Sequence, residues 1–93
     1  MAYSVVWSPR AIEDVNAIAT YIARDSPAYA STMVSKILDG TRSLSSFPLS
    51  GRVVPEFGDE CLREKIVYSY RVIYRVQDNV VTIATVIHGK QIL

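Results

Sequence analysis

Only one cysteine and one histidine occur in this chain. Cys61 has no partner for an internal disulfide, and with no second thiol or clustered imidazole it supplies no zinc site, so it reads as a small residue ahead of a strand. Long apolar runs are missing too: Arg, Asp and Ser interrupt every stretch well short of the roughly 20 residues that cross a bilayer. The N-terminus lacks the basic region and apolar run of a secretory signal, which sets the expectation of a cytoplasmic protein without a membrane segment. Charge of one sign is absent as a bulk feature, since ten Lys and Arg face nine Asp and Glu. The whole chain therefore has no basic footprint for nucleic acid. Gly and Pro are few, with four of each, and no linker, repeat or low-complexity segment interrupts the 93 residues. With 49% apolar composition, residues 1–93 are expected to form one compact domain around one core.

What is present is clearly punctuated. Residues 3–8 are β-branched and aromatic and stop at Ser8-Pro9, a pair suited to a helix N-cap and first helical residue. From Pro9 to about Arg24, Ile12, Val15, Ile18, Ala19 and Ile22 recur at helical spacing, with Glu13, Asn16 and Thr20 on the opposite face. Ser26-Pro27 repeats the start signal, and Ala30, Met33, Val34, Ile37, Leu38 and Leu44 predict a second amphipathic helix to about Ser45. Gly40 weakens that helix by on the order of 1 kcal/mol relative to Ala, and Phe47-Pro48 ends it. Strands are expected over residues 52–56, 62–67, 70–77 and 80–88, with Asp78-Asn79 as a tight turn between the last two. The fold class is α+β: an N-terminal strand, an antiparallel helical hairpin, then a mostly antiparallel sheet of three to four further strands with the helices on one face.

Strand alternation sorts the polar residues. Tyr70, Val72, Tyr74 and Val76 are expected on the core face, and Arg71, Ile73 and Arg75 on the other. In the last strand Val81, Ile83, Thr85 and Ile87 form the bulkier apolar set, which assigns His88 to the arginine side. Arg63 and Lys65 join that surface if no bulge intervenes. The expected working surface is thus an open sheet face carrying Arg63, Lys65, Arg71, Arg75 and His88, approached by Arg52 and Glu56. Such a face suits phosphate, nucleic acid or an acidic peptide. Each arginine taken singly is also what a solvated strand uses to discourage edge pairing.

Trp7-Ser8-Pro9 followed by A-I-E-D-V, I-A-T-Y-I from Ile18, Asp25-Ser26-Pro27, F-P-L-S-G-R from Phe47, Pro55-Glu56, L-R-E from Leu62, Y-R-V-I-Y-R-V from Tyr70 and the terminal V-I-H-G-K-Q span nearly the whole chain. Their order and spacing resemble toxins of the RelE/ParE superfamily from bacterial type II toxin–antitoxin operons. S-P-R-A-I-E-D, G-R-V-V-P-E and H-G-K-Q look most like the ParE branch. The resemblance implies the β-α-α-β-β-β toxin fold and a cognate antitoxin, encoded by the adjacent gene, whose flexible C-terminal segment folds across the toxin and whose separate DNA-binding domain makes the DNA contacts of the complex. It implies no cofactor and no metal. ParE-like proteins inhibit DNA gyrase by holding the cleaved DNA–gyrase complex and are not themselves enzymes. On that branch the contact surface comprises the tail of residues 88–93 and the basic positions Arg52, Arg63, Lys65, Arg71, Arg75, His88 and Lys90.

The alternative branch resembles YoeB, a ribosome-dependent messenger-RNA endonuclease. RNA cleavage through the 2′-hydroxyl needs a base, an acid and a cation at the phosphate. By that resemblance Glu56 is the base, Arg71 the phosphate-stabilising arginine and His88 the acid. The chain departs from the nuclease pattern at Gly89, where the nuclease has tyrosine, and lacks the lysines that RelE carries around Arg52 to Glu56. A third reading is an antitoxin-binding module without toxicity.

Overall fold

A computed structural model describes residues 2–91. The elements are β1 (Ser4–Trp7), α1 (Pro9–Ala23), α2 (Pro27–Arg42), a 3-10 turn (Ser43–Ser45), β2 (Arg52–Val53), β3 (Leu62–Val67), β4 (Tyr70–Gln77) and β5 (Val80–His88). Both helices begin as the Ser-Pro pairs require: Ser8 Oγ accepts from Ala11 N and Ser26 Oγ from Tyr29 N, each at 3.1 Å, satisfying amide groups that a helix start leaves without a partner.

The strands form one five-stranded sheet in the order β1-β5-β4-β3-β2. β1 runs parallel to β5 and every other pair is antiparallel. The helical hairpin covers one face, where Ala11, Val15, Met33, Ile37 and Leu44 meet Val72, Tyr74, Val81, Ile83 and Val86. Gly40 has its reason here. A Cβ at this position would lie 3.2 Å from Val67 Cγ2, so a residue that weakens the isolated helix lets α2 approach β3. Asp78 and Asn79 both take positive φ, 54° and 63°, the conformation a two-residue hairpin needs and one that Asp and Asn tolerate.

Two expectations are corrected. The strand expected over residues 52–56 stops at Val53, because Pro55 has no N–H for a ladder and the Phe57 and Gly58 amides both turn back to the Val54 carbonyl, at 3.1 and 3.0 Å. The second correction concerns faces. The β4–β5 register runs Tyr70↔His88, Val72↔Val86, Ile73↔Thr85 and then Tyr74↔Ile83, so Ala84 is an extra residue in β5. A bulge of this kind inverts the inward–outward alternation beyond it. Val86 therefore enters the core, and His88 lies on the face of Tyr70 rather than that of Arg71. Residues of α1 and its cap hold the bulge: Ser8 Oγ donates to the Ala84 carbonyl at 2.9 Å, and Asp14 Oδ2 accepts from Val86 N at 3.0 Å and from Thr85 Oγ1.

Tyr74 closes the far side of the core. Its hydroxyl accepts from Gly51 N at 3.0 Å, and a Cβ at Gly51 would sit 2.4 Å from the Glu64 carbonyl oxygen and 2.5 Å from Tyr74 Oη. Gly51→Ala is therefore expected to lower stability by about 1–3 kcal/mol, read as a lower urea midpoint; an unchanged midpoint would show that the strand yields freely at this contact. Burial pushes the Tyr74 phenol above the usual tyrosine range, partly offset by the Gly51 N–H and by Arg63. Since the folded value lies above the unfolded one, this contribution is complete below the unfolded value of about 10 and is lost as pH rises through the folded value. The thermal midpoint should thus fall on the alkaline side of pH 10, and fall less in Tyr74→Phe; identical alkaline slopes would count against Tyr74.

Candidate functional site

The sheet face turned away from the helices carries a closed set of charges. β4 supplies Arg71, whose cross-strand neighbours are Ile66 and Ile87. Glu64 stands on β3 opposite Ile73, diagonal to Arg71 and level with Arg52 of β2. The turn that ends β2 carries Glu56 over the same face. Arg71 Nη1 and Nη2 each bond one Glu56 oxygen at 2.8 Å, its Nε reaches Glu64 Oε1 at 2.6 Å, and Nη1 also donates to the Gln91 carbonyl at 3.0 Å. Glu64 Oε2 takes the Arg52 Nε. The Arg71 side chain is 7% exposed and that of Glu64 is 0%. Hydrogen bonding to Glu56 raises the Arg71 pKa further, against the cost of burial and with Glu64 adding to the effect, so the guanidinium remains charged at any working pH.

The predicted site residues divide between the two faces. Arg52, Arg71 and Arg75 do share the open face with Glu56, and Arg75 lies 3.8 Å from Asp59. Arg63 and Lys65 do not. They pair with Tyr74 and Val72 across β3–β4 and so point to the helix side, where Lys65 Nζ donates to Ser43 Oγ at 2.7 Å and Arg63 bonds the Gly51 and Glu60 carbonyls. The expectation that they join the arginine surface fails on strand parity, since Glu64 takes the outward position between them. His88 is corrected likewise: its ring meets Tyr70 edge-on, with centroids 5.7 Å apart at 77°, and its Nδ1 accepts from Lys90 N. Tyr70 and His88 help to line a cleft of about 440 Å³ with Asp14, Ile18, Tyr21 and Gln91. Burial, then Tyr29 and Tyr21, raise the Tyr70 phenol. Of the predicted contact tail, residues 92 and 93 lie outside the described residues.

Glu64 is the member that sequence reasoning missed, although L-R-E was noted. The two-residue connection Tyr68-Ser69 fixes Ile66 opposite Arg71. Counting back two from Ile66 places Glu64 on the diagonal of Arg71, within reach of a long side chain. Among the described residues no group of three or more His, Cys, Asp or Glu could hold a metal ion, and no helix is long and apolar enough to cross a membrane.

This order of elements, with two helices on one face of a mostly antiparallel sheet, is the RelE/ParE toxin fold. The chain superposes on a chain of the chromosomal ParDE system of P. aeruginosa with a TM-score of 0.79, at 20% identity over 96% of this chain and 98% of that one. It is also similar to a chain of the RelBE2 toxin–antitoxin complex of Mycobacterium tuberculosis, with a TM-score of 0.69 and 21% identity over 95% and 99% of the two chains. A curated relative, Toxin RelE2 of Caulobacter vibrioides, is 34% identical over 89 residues, 95% of this chain and 97% of the relative. Residues 5–93 match the ParE toxin of the type II toxin–antitoxin system parDE. The chain belongs to that ParE toxin family, and so to the toxins of type II toxin–antitoxin systems.

The buried cluster predicts a coupling. Glu64→Leu alone leaves Arg71 short of a buried partner and should cost about 3–5 kcal/mol, whereas Glu64→Leu with Arg71→Met should recover most of that loss, because Glu56 and Arg52 can turn to water. Urea unfolding of the double-mutant cycle measures it; purely additive losses would show that the pair is not coupled.

Proposed function

We propose that this toxin stops growth by poisoning DNA gyrase and is neutralised by a cognate antitoxin encoded beside it. The observation that carries the reading is the state of the acid–base set that a message nuclease would need. Glu56 and Arg71 are engaged with each other, and Glu64 binds the same guanidinium. His88 lies across the sheet against Tyr70. A general base has to face the proton it removes and a general acid the leaving oxygen; here Glu56 bonds Arg71 on the open face while the His88 ring lies against Tyr70 on the other. The ParE family match over residues 5–93 supports the same branch.

On this reading the target contacts come from the exposed members of the basic set, Arg52, Arg75, His88 and Lys90, and from the C-terminal turn. Arg63, Lys65 and Arg71 act behind them by holding the framework. The neighbours drawn from the ParDE and RelBE2 systems support an antitoxin partner. Trp7, Ile12, Val15 and Leu38 line an apolar groove of about 300 Å³ beside the helices, a form that takes the apolar face of an amphipathic segment. DNA contact belongs to the antitoxin, in keeping with the near-neutral charge of this chain.

The name of the Caulobacter relative, Toxin RelE2, favours a second reading, ribosome-dependent cleavage of messages. Expressing the chain without antitoxin separates the two. Accumulated gyrase–DNA cleavage complexes with intact messages are expected, whereas codon-dependent cuts with intact chromosomes would sink the gyrase reading, and unimpeded growth would leave an antitoxin-binding module. His88→Asn sharpens the comparison, since it retains an acceptor for Lys90 N–H but cannot transfer a proton. It should reduce growth inhibition by less than about tenfold; a proton-transfer role requires a loss of about 10²–10⁴.

A further inference from the structure

A guanidinium has five N–H donors in a fixed planar fork, and Arg71 makes four hydrogen bonds with them. Nε donates to Glu64 Oε1, with Nη2 paired to the same oxygen at 2.5 Å; Nη2 and Nη1 each donate to one Glu56 oxygen, and Nη1 also donates to the carbonyl oxygen of Gln91. The last acceptor stands apart. It is a neutral backbone group from the end of the chain, and the two carboxylates on the other edges of the fork leave one N–H free to meet it.

Besides the Arg71 contact, the segment that carries this carbonyl has three local bonds and one to the β3–β4 hairpin. Gln91 N donates to the His88 carbonyl at 2.9 Å, His88 N to Gln91 Oε1 at 3.0 Å, and Lys90 N to His88 Nδ1 at 3.2 Å. Gly89 N donates to the Ser69 carbonyl at 2.6 Å, seating the turn on the β3–β4 hairpin, where a Cβ at Gly89 would meet that oxygen at 3.1 Å. These contacts shape the turn and seat it. The Arg71 contact does something further: it draws the chain from the face of Tyr70, where the His88 ring lies, over to the open face.

We propose that the Glu56–Arg71–Glu64 cluster is a clasp for the C-terminal turn: the two carboxylates neutralise and orient Arg71 so that its remaining N–H fixes Gln91, making Arg71 and Glu64 positioning residues for residues 88–91. The clasp stands on these contacts alone, and its consequence for toxicity rests on the gyrase reading above, in which this turn meets the target. Glu56 enters from the turn after β2, so the clasp links the set of the C-terminal turn to a loop on the opposite side of the sheet.

Amide hydrogen exchange on the full chain, followed by NMR, tests the clasp. Arg71→Lys retains the charge for both carboxylates but has three donors for four acceptor atoms, and it should speed exchange at Gly89, Lys90 and Gln91 by about threefold or more while Val72 and Ile83 stay protected. Arg71→Met with Glu64→Leu removes the cluster in a form that buried pairs tolerate and should speed the same amides by about tenfold or more. Arg75→Met, on the same face but away from the turn, should change none of them. Unchanged exchange at residues 89–91 in a folded Arg71→Lys protein overturns the clasp. So does equal acceleration in Arg75→Met. Growth inhibition by Arg71→Lys is a separate measurement: a loosened turn with full toxicity would end the assignment of this turn to the target and leave the clasp standing.

Discussion

A cation buried on the face of a sheet has to be neutralised where it lies, because few free energies are as unfavourable as that of an unpaired charge removed from water. Arg71 meets that demand with Glu64 from β3 and Glu56 from the turn after β2, and Glu64 in turn takes Arg52. One guanidinium thereby fixes β2, β3, β4, the loop that follows β2 and the end of the chain relative to one another. Measured against an apolar core of similar volume, such a cluster adds little stability. What it adds is geometry, since each of the five N–H groups accepts only one direction of approach. Arg75 beside Asp59 extends the pattern, so that each arginine on this face has its acid.

The second constraint is the place where β1 stops. β1 pairs with β5 through Trp7↔Ile83, and beyond that point no strand among the described residues lies along this edge of β5. Ser8 and Asp14 fill the gap with side chains, one bonding the Ala84 carbonyl and the other the Val86 amide. A bare edge would offer itself to other chains. The extra residue at Ala84 falls in this stretch and decides which face every later residue of β5 occupies. The histidine is placed by the serine that caps the first helix and an aspartate within it, not by its own strand parity.

This division also accounts for what could be read from the chain. The helix starts, the hairpin turn at Asp78-Asn79, the inward set Tyr70, Val72, Tyr74 and Val76, and the family were all legible, because caps, turn residues and periodicity are local properties written in adjacent positions. The end of β2 was legible in principle, since Pro55 was visible and cannot donate to a ladder. The bulge was not. Nothing around Ala84 distinguishes I-A-T-V as bulged, because the cause lies in Ser8 and Asp14, over seventy positions away in sequence. Arg71 and Glu56 stood out only as two members, with His88, of the set implied by the nuclease resemblance, and treating the cations as a shared basic surface overlooked Glu64, whose role depends on the β3–β4 register.

The neutrality of the open face bears on how such a small toxin could recognise anything. With Arg52, Arg71 and Arg75 each beside a carboxylate and a net charge of +1, the chain has little long-range field to steer an encounter, and exposed ion pairs are screened within about 10 Å at ordinary salt. Recognition then falls to surfaces that act at contact. The exposed Ile12, Tyr21 and Tyr29 of the helices, Phe57 of the loop and Tyr68 of the β3–β4 turn offer apolar and aromatic area, and aromatic side chains lose little entropy for the area they bury. A partner that wraps the domain as a flexible segment can gather several such separated patches in one chain. A rigid target has to take what one side presents, and the side that holds His88 and the C-terminal turn is shaped by an ion cluster on the opposite face of the sheet.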